Sequence, residues 1–368
     1  MLKFFVLFVF IIQPWLFGGL LRLELLSVLI AIFILFSKSK LTFNLNEVVL
    51  TFLLLAFVLS IPFFHFTFDI SFFNVALKIF IVFFGASLIV RAFSIERSFL
   101  LKIINFIVVF SLVFYFLAVL FEPVRGIAYA VKGETYGLEE KLEVYRLWFP
   151  FSAHTFHLGL FFFTALVIQM LNKEKPIWMV LTLLCASISS RTTLLIGGML
   201  LMLYGVSRDK NLLVIFVVSL LLFFYFFDDI ISSSNSAKYA LEPIVNFLES
   251  GELSSKSSDK LQQKHLYFPN EMQLIFGDGR YFDSDGKFWG GTDSGIMRPL
   301  LYGGILFQFF YLYLMYKLLT GFYDKSIISV LVIISFFIMN IKAEFFIPGP
   351  HLALVFLYLF VNKGRRYE

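Results

Sequence analysis

The chain holds a single cysteine, Cys185, inside an apolar run, so neither a disulfide framework nor a thiolate metal site can organise it. Charge is almost as scarce: 15% of the 368 residues are charged against 60% hydrophobic, and the mean hydropathy is +0.88. That balance excludes a water-soluble domain of this length. No P-loop, HExxH or GxSxG motif occurs, which leaves nucleotide hydrolysis and the familiar protease and esterase chemistries without support. Basic clusters are missing as well. The formal charge of +5 comes from Lys and Arg placed singly at the ends of apolar runs, a pattern of membrane topology rather than nucleic-acid binding. There is no internal repeat of useful strength.

What remains is a succession of apolar runs. Lipid cannot satisfy backbone polar groups, and continuous runs rather than alternating ones select helices over a barrel, so the expected fold is an all-α polytopic membrane bundle. The runs predict about twelve helices, at 3–18, 20–36, 47–64, 70–91, 98–121, 147–171, 176–190, 192–207, 211–227, 295–319, 326–341 and 345–362. Several fall short of the roughly 20 residues that cross a bilayer upright. The start, Met1-Leu2-Lys3 and apolar residues to Phe10, has no small-x-small cleavage site and reads as an uncleaved first span.

Short basic turns at Lys38/Lys40, Arg91/Arg97, Lys173/Lys175, Arg208/Lys210, Lys317/Lys325 and Lys363/Arg365/Arg366 mark one face as cytoplasmic. Both termini then lie inside. The outer face receives 62–70, 122–146, the turn at Arg191, a long polar loop at 228–294 and the turn 342–350. The chain thus divides into 1–227 with nine helices, the loop 228–294, and 295–368 with three helices and a tail. Within the loop, Leu241, Ile244, Val245 and Leu248 stand at helical spacing before Gly251, which predicts a short amphipathic surface helix.

Four constellations on that face could carry chemistry. The loop ends in Gly277-Asp278-Gly279-Arg280 and Gly291-Thr292-Asp293-Ser294-Gly295-Ile296-Met297-Arg298, which could pair a base, Asp293, with an anion clamp. The alternative is that the Asp-Gly pairs are ordinary turns and Arg298 an interface anchor. Ser189-Ser190-Arg191-Thr192-Thr193 places a guanidinium between apolar segments, where it needs a polar cavity and a partner such as phosphate. Arg146 to His157 contributes Arg146 and two histidines, His154 and His157. A metal pair lacks a third ligand, one histidine as a proton acceptor or hydrogen-bond donor is the better reading, and packing is the expectation for His157. Asn340 to His351 offers Lys342 and Glu344, either paired with each other or divided between an anion site and its orientation. Tyr267, Tyr281, Phe288 and Trp289 could stack on sugar rings or cap the interface.

The Ser-Ser-Arg turn at 189–191, the Phe-Gly-Asp-Gly-Arg of 276–280 and the Gly-Thr-Asp-Ser-Gly-Ile-Met-Arg of 291–298, in this order of spans, resemble the Wzy-type O-antigen and capsule polymerases. That resemblance implies a GT-C-like, metal-independent inverting glycosyltransferase of the bacterial inner membrane with no cofactor. Its substrates would be undecaprenyl-diphosphate-linked repeat units, with room for a chain-length regulator as partner. It assigns Asp293 as base, with His154 beside it as a second catalytic candidate, and Arg191, Arg298, Arg146, Lys342 and Arg280 as diphosphate ligands. The related O-antigen ligases would be expected to carry a histidine late in the loop, where this chain has Asp293; His265 is the sole loop histidine. A lipid-linked oligosaccharide flippase is the rival from another class, and it would be expected to have short loops and pseudo-symmetric halves.

Overall fold

A computed structural model describes residues 1–16, 21–42, 45–132, 150–151, 153, 155–208, 210–227, 229, 241–252, 259 and 261–364. The protein is helical, as its apolar runs require. In chain order the helices are α1 (Leu2–Ile12), α2 (Leu23–Ser37), α3 (Leu45–Phe64), α4 (Ser71–Phe93), α5 (Arg97–Leu120), α6 (Glu122–Lys132), α7 (Thr155–Leu171) and α8 (Pro176–Ser189). Then follow α9 (Arg191–Arg208), α10 (Lys210–Tyr225), α11 (Glu242–Ser250), α12 (Glu271–Phe276), α13 (Met297–Leu319), α14 (Ile327–Lys342) and α15 (Pro350–Gly364). Among the described residues three helices are long and apolar enough to cross a membrane: Ser71–Phe93, Arg97–Leu120 and Met297–Phe322. Shorter apolar helices of 10–17 residues include α1, α2, α7, α8 and α14. At about 1.5 Å per residue, an 11-residue helix reaches about 16 Å, half a hydrocarbon core.

One departure from an all-α chain has a local cause. The expected span 3–18 stops at Ile12, because Gln13 turns left-handed (φ 47°) and Pro14 offers no N–H. The chain then forms a two-stranded ribbon, β1 (Trp15–Leu16) against β2 (Leu21–Arg22), before α2 begins. A second departure is α6, which occupies the start of the segment expected to be the loop 122–146.

The core is organised around α7, apolar on every side and therefore enclosed on every side, with Phe161, Phe162 and Phe163 fully buried. Helices α8, α9 and α15 pack around it. The amphipathic helix expected before Gly251 is present as α11, closed by Gly251 in the left-handed conformation (φ 76°). Glu242, at its start, forms an ion pair with Arg191 at the start of α9. The polar loop is thereby tied to the bundle.

The first turns of α13 decide where the site lies. The helix is broken at Gly303 and Gly304, which leaves the carbonyls of Leu301 and Tyr302 without helical donors. The N–H groups of Asp278 and Gly279 take them, at 2.6 and 2.9 Å. Gly304 (φ 71°) is required there, since a Cβ would collide with the Ile275 carbonyl, and Gly277 (φ 77°) faces it across the same contact. The Gly-Asp-Gly motif is a docking turn, and it fastens the end of the polar loop to a helix break.

Candidate functional site

Thr292, Asp293 and Ser294 alternate in burial. The Thr292 hydroxyl donates to the His265 carbonyl (2.8 Å), and the Ser294 hydroxyl donates to the Ile341 carbonyl (2.7 Å). Both hydroxyl residues are fully buried, and the turn between them presents the Asp293 side chain, 51% exposed. Asn340 adds a bond from its amide to the Gly295 carbonyl (3.0 Å). Asp293 is therefore held by its neighbours' anchors rather than by its own packing. Its Oδ1 stands 3.4 Å from His265 Nδ1. His265, singled out in the sequence only as the sole loop histidine, stands beside Asp293 although 28 residues separate them; it closes a π-helical turn, Leu261–His265.

Arg298 is only 3% exposed, and the loop aromatics enclose it. Its guanidinium carbon lies 3.6 Å from the Phe288 ring centre and 4.1 Å from that of Tyr281. Nη1 is 3.0 Å from Glu344 Oε2, and Oε2 also accepts the Tyr281 hydroxyl (2.6 Å). Yet Nε, Nη1 and Nη2 of Arg298 make no hydrogen bond of proper geometry among the described residues, and neither does Glu344 Oε1. Burial pushes the Glu344 carboxyl up from its ordinary value, against the pull of Arg298 and the Tyr281 hydrogen bond. An arginine at a helix N-terminus also opposes the helix dipole, so this placement carries a cost that core packing alone does not justify.

Asp293, His265, Tyr281, Phe288 and Arg298 line one cavity of about 1320 Å³, together with Gln13, Arg22, Glu24, Asn74 and Lys78. Sequence reasoning named Asp293 and Arg298 here but passed over Arg22 and Lys78, since neither lies in a polar segment. The other candidates are placed elsewhere. Arg280 is exposed and stacks over Trp289, whose indole N–H donates to Asp278 Oδ2 (2.6 Å). Lys342 Nζ donates to Thr192 Oγ1 (2.8 Å), which joins it to the Arg191 turn. Neither Lys342 nor Arg191 lines the cavity. Arg146 and His154 lie outside the described residues. His157, for which packing is the expectation, is half-buried, and its Nε2 meets the Glu344 backbone carbonyl at 3.1 Å.

The chain matches no family model, no curated protein and no solved structure. Chemistry at the cavity must therefore be argued from its own groups. An exposed carboxylate beside an imidazole can accept a proton, while a buried guanidinium with unused N–H groups can receive an anion. Among the described residues no cluster of three metal-binding side chains occurs.

The segment 65–69, between α3 and α4, holds the aromatic box in place, a role its sequence does not advertise. His65 Nε2 meets the Phe276 carbonyl (3.0 Å), Thr67 donates to the Gly279 carbonyl (2.7 Å), and Asp69 Oδ2 accepts the N–H groups of Tyr281 (2.7 Å) and Phe282 (3.4 Å). Burial pushes the Asp69 carboxyl up, but hydrogen bonds from Ser71, Tyr281 and Phe282 outweigh it and hold its pKa below the ordinary value. A depressed carboxylate contributes stability above its unfolded pKa of about 3.9 and loses it as pH falls through the lower folded value. Protection of the Tyr281 and Phe282 amides from hydrogen exchange is accordingly expected to persist to about pH 4 and to fall below it. Asp69→Ala should release the hairpin at neutral pH, with tryptic cleavage after the exposed Arg280 and Lys287 faster by about tenfold, the equivalent of about 1.4 kcal/mol. Cleavage at the wild-type rate would remove Asp69 from this role.

Proposed function

We propose that the protein is a membrane polymerase of lipid-linked glycan repeat units, multi-pass in a bacterial inner membrane, with about twelve membrane-inserted helices, both termini cytoplasmic and the cavity open to the outer face. The observation that carries this reading is the meeting, on one cavity, of the exposed Asp293–His265 pair and the boxed Arg298 with unused donors. A sugar hydroxyl of the incoming unit attacks the anomeric carbon of the chain held on undecaprenyl diphosphate. The new C–O bond forms as the bond to the diphosphate breaks, the hydroxyl proton passes to Asp293, and the leaving diphosphate takes the electron pair toward Arg298. Configuration at the anomeric carbon inverts. Arg191 and Lys342, joined through Thr192, stand apart from this cavity and act in shaping its approach through Glu242 and the surface helix.

The ligase reading draws on His265, a loop histidine that lines the cavity beside Asp293. The two are separated by the acceptor. Purified protein in liposomes, given radiolabelled lipid-linked repeat units alone, is expected to yield a ladder of longer lipid-linked glycans in the presence of EDTA. Product only after addition of a lipid A core acceptor would assign a ligase, and movement of intact units across the bilayer without elongation would assign a flippase.

A further inference from the structure

The cavity that Arg298 lines also carries cations from the α1–α2 turn and from α4, Arg22 and Lys78. Lys78 stands two turns into α4, a helix long enough to cross a membrane. An ammonium at such a position faces water or an anion rather than lipid. It lines the cavity, forms no ion pair among the described residues, and lies within electrostatic reach of Arg22. Arg22 is half-exposed, its Nη1 3.9 Å from Glu24 Oε1, too far for a hydrogen bond. Gln13, 5% exposed, lines the same cavity, and its buried amide nitrogen has no hydrogen-bond partner among the described residues. Asn74, one turn before Lys78 on the same α4 face, completes the lining. Two cations and two amides thus line the cavity, along with the carboxylates of Glu24 and Asp293.

Cavity size points the same way. Pockets for a single ligand commonly enclose about 300–1,000 Å³. This one measures about 1320 Å³, and Arg22, Lys78, Lys287 and Arg298 all line it.

We propose that Arg22, Lys78 and Gln13 form a second phosphate-binding subsite, distinct from Arg298, that holds the diphosphate of the acceptor lipid while Arg298 holds that of the donor. Naming the occupants rests on the polymerase reading; the existence of a second anion subsite does not. In this arrangement one cavity holds two lipid diphosphates, and the Asp293–His265 pair stands on the same lining to serve the sugars they carry. Lys78 and Gln13 are binding residues here and take no part in proton transfer.

The test is a stoichiometry. The full chain in phosphatidylcholine nanodiscs is titrated with a polyprenyl diphosphate, and in detergent with inorganic diphosphate. Wild type is expected to bind two equivalents of the lipid, Lys78→Gln/Gln13→Leu one, and Arg298→Met/Glu344→Gln, which leaves no buried carboxylate unpaired, the other one. In turnover, the Lys78→Gln/Gln13→Leu protein should show an acceptor KM raised at least tenfold with kcat within twofold of wild type, and Lys78→Arg should recover most of the affinity. Two equivalents of inorganic diphosphate with a single equivalent of lipid would keep the subsite and assign it to a soluble anion. A single equivalent of either probe, lost in Arg298→Met/Glu344→Gln and kept in the Lys78 variants, would overturn the second subsite and leave the Arg298 site intact. Absence of binding in every protein would overturn both.

Discussion

Arg298→Ala is expected to cost the folded protein about 3–5 kcal/mol, the range found when one partner of a buried ion pair is removed. Glu344 is fully buried, and without Arg298 its carboxylate keeps only the Tyr281 hydroxyl. The loss has a defined pH dependence. Burial already pushes the Glu344 pKa up, and removing the cation raises it further. A raised folded pKa means that stability is fully present below the unfolded value, about 4.3, and drains away as pH rises through the folded one. The variant should therefore unfold at nearly the wild-type temperature near about pH 4 and well below it near about pH 8. Arg298→Met with Glu344→Gln separates structure from function. Methionine fills the slot between Tyr281 and Phe288 with an adaptable apolar chain, and glutamine keeps an acceptor for Tyr281. That double variant should recover most of the stability and none of the polymerisation. A double variant as unstable as Arg298→Ala would show that the ion pair is not what the arginine supplies to the fold.

The same pair shows how much of the site was legible in the chain. Arg298 and Asp293 could be singled out because each is a charge in a Gly- and Ser-rich stretch next to an apolar run, and that signal survives without a structure. Glu344 was legible as a functional group but not as Arg298's counterion, since nothing in sequence spacing relates a residue before α13 breaks to one beyond α14. Tyr281 and Phe288 read as exposed aromatics for stacking on sugars; folded, they face inward on a guanidinium, because Asp69 draws the backbone of Tyr281 and Phe282 against α4. Lys78 and Arg22 gave no polar context at all, and only the enclosure of a common space by α4 and the α1–α2 turn reveals them. Helix existence followed from apolar runs with few exceptions. Helix length did not, because Gln13 and Pro14 end a run that hydropathy alone continues to residue 18.

Asp293→Asn is expected to lower turnover by about 10²–10⁴-fold, the usual share of a positioned general base, while leaving the melting temperature within a degree or two of wild type. The side chain is half-exposed, and its turn is fastened by Thr292, Ser294 and Asn340 rather than by the carboxylate, so the amide should sit where the acid did. The product distinguishes loss of the base from loss of binding. Single-repeat lipid-linked units should accumulate outside the membrane, and KM should change far less than kcat. His265 then decides what kind of base operates. If Asp293 takes the proton itself, His265→Gln keeps most of the rate, because glutamine preserves a polar neighbour. If the imidazole takes it and Asp293 orients the ring, His265→Gln matches the loss in Asp293→Asn, and the double variant is no slower than either single one, since the two act as a unit. Wild-type chain length in Asp293→Asn at equal protein level would remove the carboxylate from catalysis, and with it the assignment of the cavity as the place where the glycosidic bond is made.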